Sequence, residues 1–148
     1  MMEREVVRLD ESSIDDVIEL EKTCFAYHWT REQFQLGLKD GAYVVLGVRD
    51  GDALAGYIAF SVIADEMEIL NLAVAPVNRR QGIGTALLKC AFDICKMRGV
   101  VRSFLDVKES NDPALHLYKK FGYFQIGKRK RYYPDTKEDA LLFRHDFA

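Results

Sequence analysis

Seven consecutive residues, Arg79-Arg80-Gln81-Gly82-Ile83-Gly84-Thr85, have the types and spacing of an anion-binding loop. They lie between a strand-like run, Leu70-Asn71-Leu72-Ala73-Val74, and a helix-like run from Ala86 to Met97. A glycine-rich turn that opens a helix presents backbone N–H groups at the helix's positive end, a natural seat for phosphate. Gly82 and Gly84 carry no Cβ, so phosphates can approach the backbone. The guanidinium forks of Arg79 and Arg80 match phosphate oxygens. Two familiar phosphate motifs fail on their residues: G-x-G-x-x-G needs glycine where Leu87 stands, and a P-loop needs Lys where Thr85 follows Gly84. The plain alternative is a glycine-rich turn with solvated arginines.

The elements that must position this loop follow from periodicity and turn chemistry. Glu5 to Leu9 reads as a strand, and Ser12 or Ser13 caps a helix running to about Phe25. Ile14, Val17 and Ile18 form its core stripe, with Glu21 on an adjacent helical position. Thr30 and Gln33 form a capping box for a helix from Arg31 to Leu38. Ala42 to Arg49 and Ala53 to Ile63 flank an Asp50-Gly51 hairpin, and an Asp65-Glu66 turn leads to the strand Met67 to Val74. The helix after the loop buries Ile83, Leu87, Cys90, Ala91 and Ile94 and ends at Gly99. A strand from Val101 to Val107 follows, and Asp112-Pro113 then opens a helix from Ala114 to Phe121. Tyr123 to Tyr132 and Ala140 to Phe147 are the last strands. The order implies an α/β chain with a mixed sheet of about seven strands, helices on both faces, and a single domain over residues 1–148.

Composition narrows the function classes. Net charge is -2, so nothing global points to nucleic acid or membrane. Lys128-Arg129-Lys130-Arg131 is a local basic run, suited either to phosphates or an acidic partner, or to guarding an edge strand. Cys24, Cys90 and Cys95 form no C-x-x-C pair and read as thiols in a reducing compartment. His28, His116 and His145 are scattered, which indicates neither a metal site nor a triad. The N-terminus lacks a signal-peptide core, and the mostly apolar run Ala53 to Ala64 is too short to span a bilayer. The expected location is cytoplasmic; the sequence leaves oligomeric state open.

The loop fits R/Q-x-x-G-x-G/A, from Arg79 to Gly84 or one register on from Arg80 to Thr85. It resembles the pyrophosphate loop of the GNAT acetyltransferases, which bind acetyl-coenzyme A. Four further stretches carry the resemblance. Asn71-Leu72-Ala73-Val74 is similar to the strand end facing the acetyl-pantetheine arm, and Asn111 to a coenzyme-contacting Asn. Leu117-Tyr118-Lys119-Lys120-Phe121-Gly122-Tyr123 is similar to the L-Y-x-x-x-G-F/Y element. Arg131-Tyr132-Tyr133-Pro134, with Glu138-Asp139-Ala140 after it, resembles the peptide-binding loop of N-terminal acetyltransferases. The match is nearest the ribosomal-protein alanine (RimI-type) and archaeal N-terminal groups. Tyr27-His28-Trp29 stands where that group carries aromatic-Pro-Trp.

The resemblance implies an enzyme that acetylates a protein N-terminus, such as a ribosomal protein's, from acetyl-coenzyme A and without a metal. It implies coenzyme contacts from Leu72, Ala73, Val74, the Arg79 to Thr85 loop, Asn111 and Tyr118, and peptide contacts from Tyr27, Trp29, Tyr132 and Tyr133. Tyr118 would protonate the leaving thiolate. Two carboxylates compete as base: Asp106, where the RimI-type group has Glu, and Glu68, where the histone-acetyltransferase branch has its base. Asp106 is one methylene shorter than Glu and would act through a water. Strand alternation puts Glu68 with Leu70 and Leu72, and Asp106 with Phe104. Two alternatives stand beside this reading: acetylation of lysine or a small amine, and a coenzyme A-binding module without turnover.

Overall fold

The computed structural model describes residues 5–25, 30–134 and 136–147. The chain builds β1 (Val6–Arg8), α1 (Ile14–Cys24), α2 (Arg31–Lys39), β2 (Tyr43–Asp50), β3 (Ala53–Ile63) and β4 (Glu66–Val74). It continues with α3 (Ile83–Met97), β5 (Arg102–Lys108), α4 (Asp112–Lys120), β6 (Phe124–Arg129) and β7 (Ala140–Asp146). The seven strands form one sheet in the order β1-β2-β3-β4-β5-β7-β6. Among the described residues only β4 and β5 pair in parallel, joined by the α3 crossover. The mixed sheet expected from the sequence is therefore present.

Each helix covers the face that its apolar stripe selects. Ile14, Val17 and Leu20 of α1 and Phe34 of α2 pack on Val45, Tyr57, Ala59 and Ala73. On the opposite face, Ile83, Leu87, Leu88 and Ala91 of α3 and Tyr118 of α4 pack on Ile58, Phe60, Ile69, Leu105 and Phe143. The α1–α2 layer stops at β4. Among the described residues no helix covers that face over β5, β7 and β6.

Several boundaries differ from the sequence reading for local reasons. The first helix is preceded by a 3₁₀ turn, Glu11–Ser13, capped by Asp10, whose carboxylate accepts the Ser12 N–H at 2.9 Å. Ser13 is buried and accepts from Arg49 at 3.2 Å, which removes it from a capping role. Asn111, not Asp112, caps α4, through Oδ1 to the Ala114 N–H at 3.3 Å. The helix after the glycine loop starts at Ile83, three residues before Ala86, because Gly82 takes the left-handed conformation (φ 78°) at its N-cap. β6 stops at Arg129 rather than Tyr132. There the Arg131 N–H turns to Asp139 (2.9 Å), whose carboxylate also meets the Lys128 ammonium at 3.1 Å. Arg131 sits at φ 51° in this tight return.

Candidate active site

A β-bulge in β4 shapes the centre of the sheet. Ala59 pairs with Asn71 and Phe60 with Ile69, so Leu70 is the extra residue. The bulge shifts parity. Asn71 and Ala73 follow Glu68 and Leu70 on the α1 side, and Leu72 moves to the α3 face, where it packs on that core. The expectation that Leu72 shares a face with Glu68 is thus corrected by one inserted residue.

At the same level the parallel ladder ends. Glu66 to Ile69 of β4 pair with Arg102 to Leu105 of β5, and no pairing follows. Beyond that point β4 stays with β3 as far as Val74, and β5 stays with β7 as far as Lys108. The two central strands part, leaving facing backbone edges between Leu70–Val74 and Asp106–Lys108. Backbone N–H and C=O groups need partners, so such a gap suits an extended polar chain rich in amides. Two groups there are already engaged: the Leu72 N–H donates to Asn71 Oδ1 at 3.1 Å, and the Val74 carbonyl accepts from Arg79 Nε at 3.2 Å.

The glycine loop lies at the wide end of this gap. A 3₁₀ turn, Pro76–Asn78, leads into it, and buried Asn78 ties it to the β2–β3 hairpin by donating to Asp50 at 3.0 Å. Arg80 holds φ 64°. Among the described residues no side chain caps α3, so the N–H groups of its first turn, at Ile83, Gly84 and Thr85, are left for another acceptor. A Cβ added at Gly82 would meet nothing within 4 Å. One added at Gly84 would lie 3.3 Å from Leu117 of α4, so that glycine also serves helix packing. Arg79, Arg80 and Gln81 are exposed around the turn.

On the uncovered face, register aligns Glu68 with Phe104, and Asp106 follows two residues on. Arg129 pairs with Ala140, which pairs with Lys108, and so has the same parity as Asp106. Partial burial raises the Glu68 carboxyl above its ordinary range, and neighbouring Asp106 adds to the rise; Arg129 opposes it. Burial also raises Asp106, again against Arg129. Glu68, Asp106 and Arg129 are therefore one electrostatic group. The sequence reading saw Arg129 only as part of a basic run. Arg129→Gln should raise both carboxyl pKa values, since a nearby cation favours the ionised form. A carboxyl-carbon NMR titration of the variant reads this directly, and unmoved values would exclude the coupling.

Tyr118 lies on the other side of the gap, buried in α4. Burial pushes its phenol well above the ordinary value, and Tyr133 adds to the rise. Its ring packs edge-on to Tyr123 at 5.5 Å, and the Tyr123 hydroxyl is 2.6 Å from Ser103 Oγ. Tyr132 and Tyr133 follow β6 in the loop, with ring centres 5.3 Å apart. The Lys108 ammonium sits 5.2 Å from the Tyr133 ring centre, and the Arg129 guanidinium 5.3 Å from that of Tyr132. Asn111 is exposed, with Oδ1 used by its cap. Tyr27 and Trp29 lie outside the described residues.

A separate cavity of about 540 Å³, lined by Arg8, Asp10, Glu11 and Tyr43 among others, lies beside β1 and α2. Its charges are mixed, and it contains none of the groups above. The divided sheet is the better candidate: the glycine loop follows the end of β4, Glu68 and Asp106 stand on the two parting strands, and Tyr118 packs on the opposite face. No helix among the described residues is long and apolar enough to cross a membrane.

Known proteins resemble this chain in sequence and fold. The sequence model described as the acetyltransferase (GNAT) family matches residues 14–123. A ribosomal protein bS18-alanine N-acetyltransferase of Escherichia coli is 30% identical over 136 residues, covering 90% of this chain and 91% of its own. A Bacillus subtilis protein, provisionally given the same name, is 40% identical over 130 residues, covering 87% of this chain and 86% of its own. The crystal structure of the ribosomal-protein-S18-alanine N-acetyltransferase from Escherichia coli superposes with a TM-score of 0.90 at 28% identity, covering 99% and 95% of the two chains.

Proposed function

The chain belongs to the GNAT family of acetyltransferases, and from that membership we propose that it acetylates the N-terminal α-amine of a protein, with a ribosomal protein as substrate class. The observation that carries the reading is the split between β4 and β5, with Glu68 and Asp106 on its open side and Tyr118 on the other. A donor threaded through that split and an amine arriving from the open face would meet between them. Acetyl-coenzyme A fits the residues present: its pyrophosphate suits the first turn of α3 with Arg79 and Arg80, and its amide-bearing arm suits the unpaired strand edges. When bound it supplies an activated acetyl thioester.

The chain's own groups then have distinct tasks. The carboxylate pair takes a proton from the incoming ammonium, with Asp106 or Glu68 acting through a water. Arg129 favours the ionised form of that pair, against the burial that raises both carboxyls. Within the Leu72 to Val74 stretch the Leu72 N–H is already held by Asn71 Oδ1, so the candidates to polarise the thioester carbonyl are the backbone N–H groups beyond it. The Tyr118 hydroxyl donates to the departing sulfur. Tyr132 and Tyr133 narrow the open face near Lys108 and Arg129, which favours an extended chain end over a side chain projecting from mid-chain.

The weak bases support an α-amine. An α-ammonium has a pKa of about 7.7–8.0 and lysine about 10.4, so the free α-amine costs about 3.4 kcal/mol less to form. Peptides of one sequence with an internal Lys, bearing either a free or a blocked N-terminus, test the assignment. Mass spectrometry should find acetate on the free N-terminus and none on the blocked peptide. Efficient transfer to lysine in the blocked peptide would assign the enzyme to side-chain acetylation instead.

A further inference from the structure

Glu21 is fully buried in α1, on a helix whose other inward residues are apolar. Its carboxylate Oε1 accepts from the Tyr57 hydroxyl of β3 and from Asn71 Nδ2 of β4, the latter at 2.5 Å. Tyr57 is itself fully buried, and burial followed by the Glu21 charge holds its hydroxyl protonated. Burying a carboxylate is costly, and the cost is tolerated when several donors meet it. These donors are not spread through the core. One of them, Asn71, directly follows the Leu70 bulge where β4 leaves β5, and the other, Tyr57, pairs with Ala73 of the same strand.

The orientation of Asn71 follows from Glu21. A carboxylate accepts only, so it selects the NH₂ end of the Asn71 amide. Oδ1 is thereby turned to the Leu72 N–H, at 3.1 Å. The chain Tyr57–Glu21–Asn71–Leu72 N–H links the α1 core to a backbone group on the parting edge. Cys24, one turn further along α1, reinforces the same strand by donating Sγ–H to the Val74 carbonyl at 3.5 Å.

We propose that Glu21 is a positioning residue for acetyl transfer, its buried carboxylate clamping Asn71 so that the β4 bulge and the Leu72 amide keep the shape that opens the sheet. The proposal rests on the acetyltransferase reading for its kinetic consequence, and on hydrogen-bond geometry alone for its structural one. Glu21 does not touch substrate. It acts through Asn71 on backbone groups whose placement decides how well the donor is held for attack.

Glu21→Leu keeps the volume and removes both acceptors, and Glu21→Gln retains an oxygen that accepts from Tyr57 and Asn71. With the full-length protein and a free-N-terminus peptide, Glu21→Leu should lower kcat roughly tenfold while KM for the peptide changes little, and Glu21→Gln should restore most of the rate. In ¹⁵N-labelled protein, the Leu72 and Asn71 backbone resonances should move in Glu21→Leu and stay near wild type in Glu21→Gln. If Glu21→Leu is insoluble, Asn71→Ala removes the other end of the clamp and should show the same kcat loss and Leu72 shift. A Glu21→Leu protein with wild-type kcat and an unmoved Leu72 resonance overturns the proposal and leaves Glu21 as core packing. Should the wild-type protein acetylate no peptide, the acetyltransferase reading fails, and the Leu72 resonance still decides whether the clamp exists.

Discussion

Tyr118→Phe is expected to lower kcat by about 10²-fold, the lower end of the usual range for general acid catalysis, with little change in coenzyme affinity. The substitution removes one hydroxyl and leaves the ring, which packs on Tyr123 at 5.5 Å and shares the α3-side core with Leu105 and Phe143. Stability should therefore change by no more than about 1–2 kcal/mol. The phenol's environment sets what the hydroxyl can do. Burial and Tyr133 raise its pKa, so it stays protonated across the neutral range and is always available as a donor. A thiol titrates near 8.5 and an ordinary phenol near 10, so complete transfer of this proton to sulfur runs uphill by at least about 2 kcal/mol. The hydroxyl's contribution is accordingly a hydrogen bond that strengthens as charge builds on sulfur. Wild-type kcat should thus lack an alkaline fall from Tyr118 below pH 10. Unchanged turnover in Tyr118→Phe would make this tyrosine a packing residue and assign donation to water.

The sequence exposes those parts of the site whose chemistry is local. Thr30 and Gln33 form their capping box with both reciprocal bonds, the Asp50-Gly51 hairpin turns where its residues demand, and the glycine loop opens α3. Each depends on neighbours within a few positions. The bulge at Leu70 does not. It is a mismatch between β4 and β3, visible only once Ala59 is set against Asn71 and Phe60 against Ile69. Strand alternation read from β4 alone consequently puts Leu72 on the wrong face. Glu21 meets partners 36 and 50 positions away, so its role cannot appear in any local window. Its one signal is a carboxylate beside the Ile14, Val17 and Ile18 stripe, where a buried charge requires a distant partner. Arg129 is hidden for the opposite reason: it sits among four consecutive cations, and only sheet register separates it from Lys128, which pairs with Asp139.

Parity and the strand split also explain why two carboxylates compete. Both stand on the same uncovered face, each raised by partial burial, with one guanidinium serving both. Asp106 raises the Glu68 carboxyl, so the titration of one depends on the other. Asp106 is a methylene short of Glu, and Glu68 beside it brings a second acceptor to the same opening.

Gly84→Asp should weaken acetyl-coenzyme A binding by about 10²-fold or more, and Gly84→Ala should do so far less. The argument turns on separating space from charge. The alanine Cβ would lie 3.3 Å from Leu117 Cδ2 and 3.9 Å from Val74 Cγ2. The nearer neighbour is the tip of a flexible side chain, so a small shift of Leu117 accommodates it, and helix propensity at this position improves. Aspartate adds the same Cβ together with a carboxylate in the first turn of α3. There it competes for the N–H groups that no side chain caps in the wild type, and it repels an arriving pyrophosphate. One charge-assisted hydrogen bond is worth about 1.5–3 kcal/mol, and each 1.4 kcal/mol is tenfold in affinity, so losing one such bond gives about 10- to 10²-fold and the charge repulsion adds the rest. The helix itself should gain from an acidic residue in its first turn, which makes the variant a folded protein with an impaired loop. Calorimetric titration of wild type, Gly84→Ala and Gly84→Asp with acetyl-coenzyme A orders the three. Equal affinities would remove the loop from the coenzyme site, and equal losses in both variants would place the effect in the α3–α4 contact through Leu117.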